Sequence, residues 1–233
     1  MNKFLKEGLS YYGIEPTDDI GEKFRKYEEL LIETNKQFNL TAITETDEVN
    51  IKHFVDSISC QDLILKDSKV IDVGTGAGFP GLPLKIIRDD ISVDLLDSLG
   101  KRVKFLETVI DNLSLGKCRA FHMRAEEGGK NKDFREKYDV AVSRAVANLP
   151  VLCEYCLPFV KKGGVFLALK GRDAENEAEN AEKAVKILGG KIEKIHEVFW
   201  HDMEHRVVII RKISNTPMKY PRNAGKPSKE PLI

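Results

Sequence analysis

The stretch Val70-Ile71-Asp72-Val73-Gly74-Thr75-Gly76-Ala77-Gly78-Phe79-Pro80-Gly81 limits the fold more than any other part of the chain. An apolar, β-branched run suited to a buried strand leads into a glycine-rich turn, and a helical pattern follows over residues 82–87. Glycines let the backbone turn sharply and approach a ligand closely, and the helix N-terminus behind them favours an anionic group. A strand, glycine loop and helix in that order belong to an α/β protein with a mostly parallel sheet.

The flanking sequence agrees. Short β-branched runs at 70–73, 91–96, 118–123, 140–143, 165–170, 192–199 and 207–212 alternate with helical stretches, as βαβ units require. Only residues 200–206 separate the last two runs, so these two pair as an antiparallel hairpin. Seven strands closed by such a hairpin fit a Rossmann-like class I methyltransferase, not the six parallel strands of a dehydrogenase's dinucleotide-binding domain.

Before this sheet, apolar residues recur at helical spacing (Phe4, Leu5, Leu9, Tyr12, then Phe24, Tyr27, Leu30, Leu31), interrupted by Pro16 and by Asn39-Leu40-Thr41. The expected organisation is an N-terminal helical extension over 1–65, a methyltransferase domain over 66–213 and an extended tail over 214–233. Four prolines, at 217, 221, 227 and 231, argue against helix in that tail.

The glycine loop admits more than one ligand. Gly76-x-Gly78-x-x-Gly81 matches the dinucleotide fingerprint literally. Asp72 stands two residues before the first glycine, where a carboxylate accepts from an ammonium or from loop N–H groups but repels a pyrophosphate. The fingerprint also starts two residues late, with Phe79 and Pro80 where the phosphate-binding helix should open. These features favour a methyl donor, S-adenosylmethionine, over a dinucleotide, with Gly74, Gly76, Gly78 and Phe79 against it. A turn with no ligand is the remaining alternative. Asp97 ends the second strand at a distance from Gly74 that suits a ribose diol, and it is equally placed to cap the next helix. Ala125 and Glu126 follow the third strand, where a side chain lines an adenine pocket.

Charge and cysteine content exclude several classes. Lys plus Arg and Asp plus Glu each number 37, so the chain does not coat nucleic acid by bulk charge. Residues 211–233 are the exception, with six basic side chains against one acidic. The start of the chain has no apolar signal core, and no run approaches a membrane span, so a cytoplasmic protein with no membrane partner is expected. Cys60, Cys118, Cys153 and Cys156 are too scattered for a disulfide framework, and Cys153-x-x-Cys156 has no second pair to complete a zinc site. No metal is expected.

A set of ordered motifs then narrows the reading: Asn39-Leu40-Thr41-Ala42-Ile43, His53-x-x-Asp56-Ser57, the loop from Asp72 to Pro83, Asp97-Ser98-Leu99-x-Lys101-Arg102, Arg124-Ala125-Glu126, Ser143-Arg144-Ala145-x-Ala147, Lys170-Gly171 and Tyr220-Pro221-Arg222-x-x-Gly225-x-Pro227-x-Lys229. With these the chain resembles the bacterial small-subunit rRNA guanine-N7 methyltransferases, also called glucose-inhibited division protein B. The resemblance implies that S-adenosylmethionine is held by Gly74, Phe79, Ala125, Glu126 and Arg144. It also implies that the acceptor is N7 of one guanine, nucleotide 527, of 16S rRNA, free or in the small ribosomal subunit, with no obligate protein partner. One departure is visible: the family has Arg directly after the acidic residue entering the last strand, whereas here Glu204 is followed by His205 and then Arg206.

The fourth strand ends in Ser143-Arg144, with neither the Asn/Asp-Pro-Pro-aromatic turn of an amine methylase nor the Pro-Cys of a cytosine C5 methylase. That suits guanine N7, whose lone pair needs no proton removed, so Arg144 is expected to position and not to act as acid or base. Candidate RNA contacts are Lys101, Arg102, Lys170, Arg206, Arg222 and Lys229, of which the tail residues are the densest group. His53 and Asp56, one helical turn apart, form either a polar pair closing the donor pocket or a bond between helix and domain. Another acceptor, or a regulatory protein that binds without transferring methyl, is the competing function.

Overall fold

The computed structural model describes residues 1–144, 146–201 and 203–233; Ala145 of the Ser143–Ala147 motif and Asp202 of the hairpin lie outside the described residues. Seven strands form one sheet, β1 (Lys69–Val73), β2 (Ser92–Asp97), β3 (Cys118–His122), β4 (Tyr138–Arg144), β5 (Val160–Lys170), β6 (Gly190–Trp200) and β7 (Met203–Lys212). Their order is β3-β2-β1-β4-β5-β7-β6, and β7 runs antiparallel to both β5 and β6. This is the Rossmann-like class I arrangement expected from the alternation of runs. The chain leaves β1 toward one edge and later returns to place β4 on the other side of it. Ligands of open α/β sheets bind at that reversal, outside the carboxyl ends of the strands.

The hairpin differs in detail from the expectation. Its strands run on through residues 200 and 203–206, so the connection is far shorter than the seven residues the apolar pattern suggested. The pattern missed them because β6 is an edge strand carrying Lys191, Glu193, Lys194 and Glu197, charges that guard an exposed edge and hide the apolar alternation.

Helices cover both faces. Before β1 come α1 (Lys3–Tyr11) and α2 (Asp18–Asn35), then α3 (Thr46–Val49), which passes through a π-helical turn (Asn50–Val55) into α4 (Asp56–Ile58). Asn2 caps α1 by accepting from the N–H groups of Phe4 and Leu5, and Thr17 caps α2. Gly8 lets α1 lie flat on the π turn: a Cβ there would stand 2.5 Å from a Val55 methyl. These helices, with α5 (Gly81–Ile87) and α6 (Gly100–Asn112), pack on the sheet face that carries Val70, Leu95, Val142, Leu167 and Ile209. The opposite face, with Ile71, Ala141, Phe166, Ala168 and Ile210, packs on α8 (Leu149–Cys156) and α9 (Ala174–Ile187), while α7 (Ala125–Gly128) follows β3. All four cysteines are buried and unpaired, and burial pushes the Cys60 and Cys118 thiols up to about 12. Among the described residues no helix is long and apolar enough to cross a membrane.

The tail is not wholly extended. It closes in α10 (Lys226–Lys229), one helical turn with Pro227 in its first positions, where proline's missing N–H removes no helical bond. Nor does the tail stand free, since Thr216, Tyr220, Pro221 and Pro227 are buried.

The helical extension is tied to the glycine loop by Tyr27 of α2, fully buried, whose hydroxyl donates to the Ala77 carbonyl at 2.5 Å. Tyr27→Phe should destabilise the protein by about 1–2 kcal/mol, because the carbonyl is left buried without its donor. Fluorescence of Trp200, the single tryptophan, and backbone circular dichroism should still report one coincident urea transition. Two separated transitions would show instead that residues 1–65 fold independently.

Candidate functional site

The carboxyl ends of β1, β2 and β4, with the residues after β3, open onto a cleft of about 530 Å³. Its floor is the glycine loop. Asp72, wholly buried at the end of β1, closes that loop by accepting from the Thr75 hydroxyl at 2.6 Å and from the Gly81 N–H at 2.8 Å. Burial pushes the Asp72 carboxyl up to about 7 against these two bonds. Gly74 and Gly76 take left-handed φ of 73° and 62°. A Cβ on Gly76 would meet nothing within 4 Å, so its Cα faces open space in the cleft.

Asp97 sits at the end of β2, accepting from the Gly76 N–H and the Leu99 N–H at 2.9 Å each. It is not the residue that caps α6, which is Leu99, but it fixes the backbone on both sides of the cleft. Its oxygens keep lone pairs for a diol. Glu126 and Ala125 form another wall, and Phe79 closes the cleft beside Gly76. Two carboxylates, an aromatic face and an open glycine loop match the needs of a purine nucleoside carrying a cationic side chain.

Arg144 divides this cleft from a second cavity of about 330 Å³, and both are lined by Arg144 and His53. Strand pleating decides where it points: Val140, Val142 and Arg144 share the face that meets the N-terminal helices, as do His205, Val207 and Ile209 on β7. The π turn brings His53 and Asp56 to the same place. The Arg144 guanidinium donates to Asp56, to the Lys52 carbonyl at 3.0 Å and to His53 Nδ1 at 3.2 Å, and it lies 5.0 Å from the Phe79 ring centre. His53 stacks on Phe79 with ring centres 4.5 Å apart. His53 and Asp56 therefore do not pair with one another. They converge on Arg144.

His205 donates from Nδ1 to the other Asp56 oxygen. Burial would raise the Asp56 pKa, but the Arg144 and His205 contacts outweigh it and hold the carboxyl below its ordinary value. The same bond raises His205 against its own desolvation. His53 goes the other way, lowered to about 4 by burial and then by the Arg144 charge. A neutral His53 accepts at Nδ1 from Arg144, so its Nε2 carries the proton and donates to the Thr41 hydroxyl at 2.8 Å.

The donor-site candidates Gly74, Gly76, Phe79, Asp97, Ala125, Glu126 and Arg144 come together around the first cleft. Gly78 does not line it; with φ 106° it shapes the turn into α5. The RNA candidates scatter. Arg102 stands at the first cleft, 3.6 Å from Asp97. Lys101 lies over the Phe38 ring. Lys170 lines the second cavity but is held by Glu177 at 2.7 Å and the Ala147 carbonyl at 2.9 Å. Arg206 points to the opposite sheet face from His205 and pairs with Glu175 and Glu197. Arg222 is clamped to buried Glu154, receiving a structural role that the sequence did not signal. Lys229 is exposed on α10. Cys153 and Cys156 lie buried in α8, apart from both cavities.

Tyr27, His205 and the tail residues Gly225 and Ser228 were not among the expected site residues. His205 carried a signal, the inverted His-Arg order, whereas Gly225 and Ser228 reach the cleft only through tertiary packing.

A family model described as rRNA small subunit methyltransferase G matches residues 20–206. Two relatives called ribosomal RNA small subunit methyltransferase G are each 53% identical to the chain: one from Acetivibrio thermocellus, over 100% of this chain and 97% of its own, and one from Alkaliphilus oremlandii, over 100% and 99%. Among solved structures, TYW2 of M. jannaschii in complex with AdoMet aligns with TM-score 0.54 and 14% identity over 69% of this chain and 76% of its own. Precorrin-6y C5,15-methyltransferase of Geobacter metallireducens aligns with TM-score 0.52 and 13% identity over 69% and 88%. At such identities these two establish the fold alone.

His205 offers a test of the cluster. A histidine raised by its partner lends stability that is complete below its unfolded pKa, about 6.5, and is lost as pH rises through the higher folded value. The loss of Tm in His205→Ala should therefore be larger at pH 6 than at pH 9. A pH-independent loss would mean that the His205–Asp56 bond carries no charge.

Proposed function

The chain belongs to the rRNA small subunit methyltransferase G family, and from that premise we propose that it methylates N7 of a single guanine, nucleotide 527, of 16S rRNA. S-adenosylmethionine is its methyl donor. The observation that carries the finer reading is the partition formed by Arg144 and His53, which separates the donor cleft from a second cavity, roomy enough to admit a base, while lining both.

Gly74, Gly76, Phe79, Asp97, Ala125 and Glu126 hold the donor, with Asp97 toward the ribose and Glu126 toward the adenine end. When bound, the donor supplies an electrophilic methyl group on a sulfonium, which an unprotonated ring nitrogen attacks without losing a proton. The protein's part is then to align the acceptor and exclude water. Arg144 suits that part, because Asp56, His53 and the Lys52 carbonyl fix its plane and leave it no freedom to rotate. In the second cavity Lys170 and Glu177 stand side by side. They complement guanine O6, an acceptor, and its N1–H, a donor. No side chain there is a free base at the partition: the unprotonated Nδ1 of His53 accepts from Arg144, and the Asp56 oxygens are taken by Arg144 and His205.

RNA reaches this opening as an unstacked base, with the surrounding phosphates met by exposed cations. Of the basic candidates, Lys101 and Lys229 are exposed, Arg102 stands beside Asp97, and Lys170, Arg206 and Arg222 are committed to carboxylates; Lys226, exposed on the same helix as Lys229, has only the exposed Glu230 beside it.

Labelled S-adenosylmethionine should transfer methyl to 16S rRNA or small subunits from cells lacking this gene, and N7-specific chain cleavage should map the label to nucleotide 527. Arg144→Ala should reduce both donor binding and transfer; label elsewhere in the RNA, or wild-type transfer by Arg144→Ala, would overturn the assignment. For the tail, Lys226→Ala with Lys229→Ala should weaken RNA binding and reduce the slope of log affinity against log salt by about 1.4, the value for two phosphate contacts on a single strand. An unchanged slope would move the RNA path off the tail.

A further inference from the structure

We propose that the C-terminal tail is a wall of the methyl-donor cleft, with Gly225 and Ser228 as donor-site residues, so that donor affinity depends on the segment of the chain after Asn223. The proposal rests on the reading of the 530 Å³ cleft as the donor site. The family match ends at residue 206, before any of this segment begins.

β7 is antiparallel to β5, and Arg211 pairs with Val165 near the start of that strand. The chain therefore leaves the sheet at the edge remote from the donor cleft. It returns along the α8 side by a series of specific bonds. Buried Lys212 donates to the Thr216 hydroxyl and the Leu157 carbonyl, both at 2.6 Å. Arg135 gathers the carbonyls of Gly129, Thr216 and Tyr220 at 2.6–2.8 Å. Glu154, 1% exposed on its side chain, receives the backbone N–H and the guanidinium of Arg222. Each bond satisfies a group that would otherwise be buried unpaired, so the path is specified and does not follow from apolar adhesion alone.

The path ends in the cleft. The Gly225 N–H donates to Glu126 Oε1 at 3.0 Å, and the Ser228 and Tyr155 hydroxyls are 2.8 Å apart. Gly225, Ser228, Tyr155 and Glu126 all line the space that Gly74 and Asp97 line from the other side. Gly225 holds φ at 79°, a conformation that a residue with a Cβ rarely adopts, so the turn that aims its N–H at Glu126 depends on glycine. Glu126 is 6% exposed, and no bond from the described residues reaches its Oε2. The tail thus fixes one carboxylate oxygen and leaves the other to accept from a ligand N–H, for which the amino group of a purine is the matching donor.

The test compares three variants by calorimetric binding of S-adenosylhomocysteine, alongside thermal melts. A chain ending at Asn223 keeps the Arg222–Glu154 clamp and the Arg135 bonds but lacks Gly225 and Ser228; it should bind about tenfold more weakly than the full chain. Tyr155→Phe, which removes only the bond to Ser228, should bind about threefold more weakly and melt within a few degrees of wild type, covering the case in which the shortened chain fails to fold. Asp97→Ala controls for the cleft itself. Loss of binding in Asp97→Ala with wild-type affinity in Tyr155→Phe and in a folded shortened chain would overturn the tail's role. Wild-type affinity in Asp97→Ala would overturn the donor-cleft reading beneath it.

Discussion

A guanidinium that is largely withdrawn from water must have its charge and its N–H groups met by protein, and around Arg144 that requirement organises the molecule. Its side chain is 14% exposed, and its partner Asp56 is 3% exposed. Arg144 belongs to the sheet, whereas Asp56, His53 and the Lys52 carbonyl belong to the helices before it, and His205 adds the antiparallel strand. Three separate parts of the chain are consequently held at one point. Removing Asp56 would leave Arg144 a buried charge without its counter-ion, which is more expensive than losing the bond alone. The helical extension is thus a structural part of the first cleft: it supplies the groups that hold the partition and, through Tyr27, a bond to the glycine loop.

The glycine loop faces the same problem in its backbone. Only its first N–H groups, those of Gly74 and Thr75, pair with the neighbouring strand, at the Leu96 carbonyl, and buried backbone groups left unpaired beyond them are costly. Side chains from three directions supply the partners. Asp72 takes the Gly81 N–H, Asp97 takes that of Gly76, and Tyr27 serves the Ala77 carbonyl. Asp72 and Asp97 thus hold the loop open, and Asp97, with Glu126, also gives the cleft its two lining carboxylates.

Charge that looks available in the sequence is largely consumed in the fold. Lys170, Arg206 and Arg222 were all expected at the RNA surface, and each is paired with Glu177, with Glu175 and Glu197, or with Glu154. The carboxylates lie on helices or on the neighbouring strand, and of those on helices only Glu177 is near its partner in sequence, across the turn from β5 into α9, so no helical or strand spacing announces them. What remains exposed at the tail is Lys219 and, on α10, Lys226 and Lys229, a smaller surface than the six basic residues of 211–233 suggested.

The sequence alone determined the fold class and the place of the glycine loop, because both depend on short-range order: the alternation of β-branched and helical runs, and the spacing of Asp72, the glycines and Asp97. It also fixed the motifs from which family membership follows. Tertiary structure decided what those residues touch. Whether His53 pairs with Asp56 or with Arg144, which of His205 and Arg206 faces the cavity, and whether the tail is free or docked all depend on strand pleat, on the antiparallel course of β7 and on carboxylates presented from remote helices. Periodicity along one segment carries no information about the charge opposite it. That information exists only once the sheet and helices have closed around Arg144.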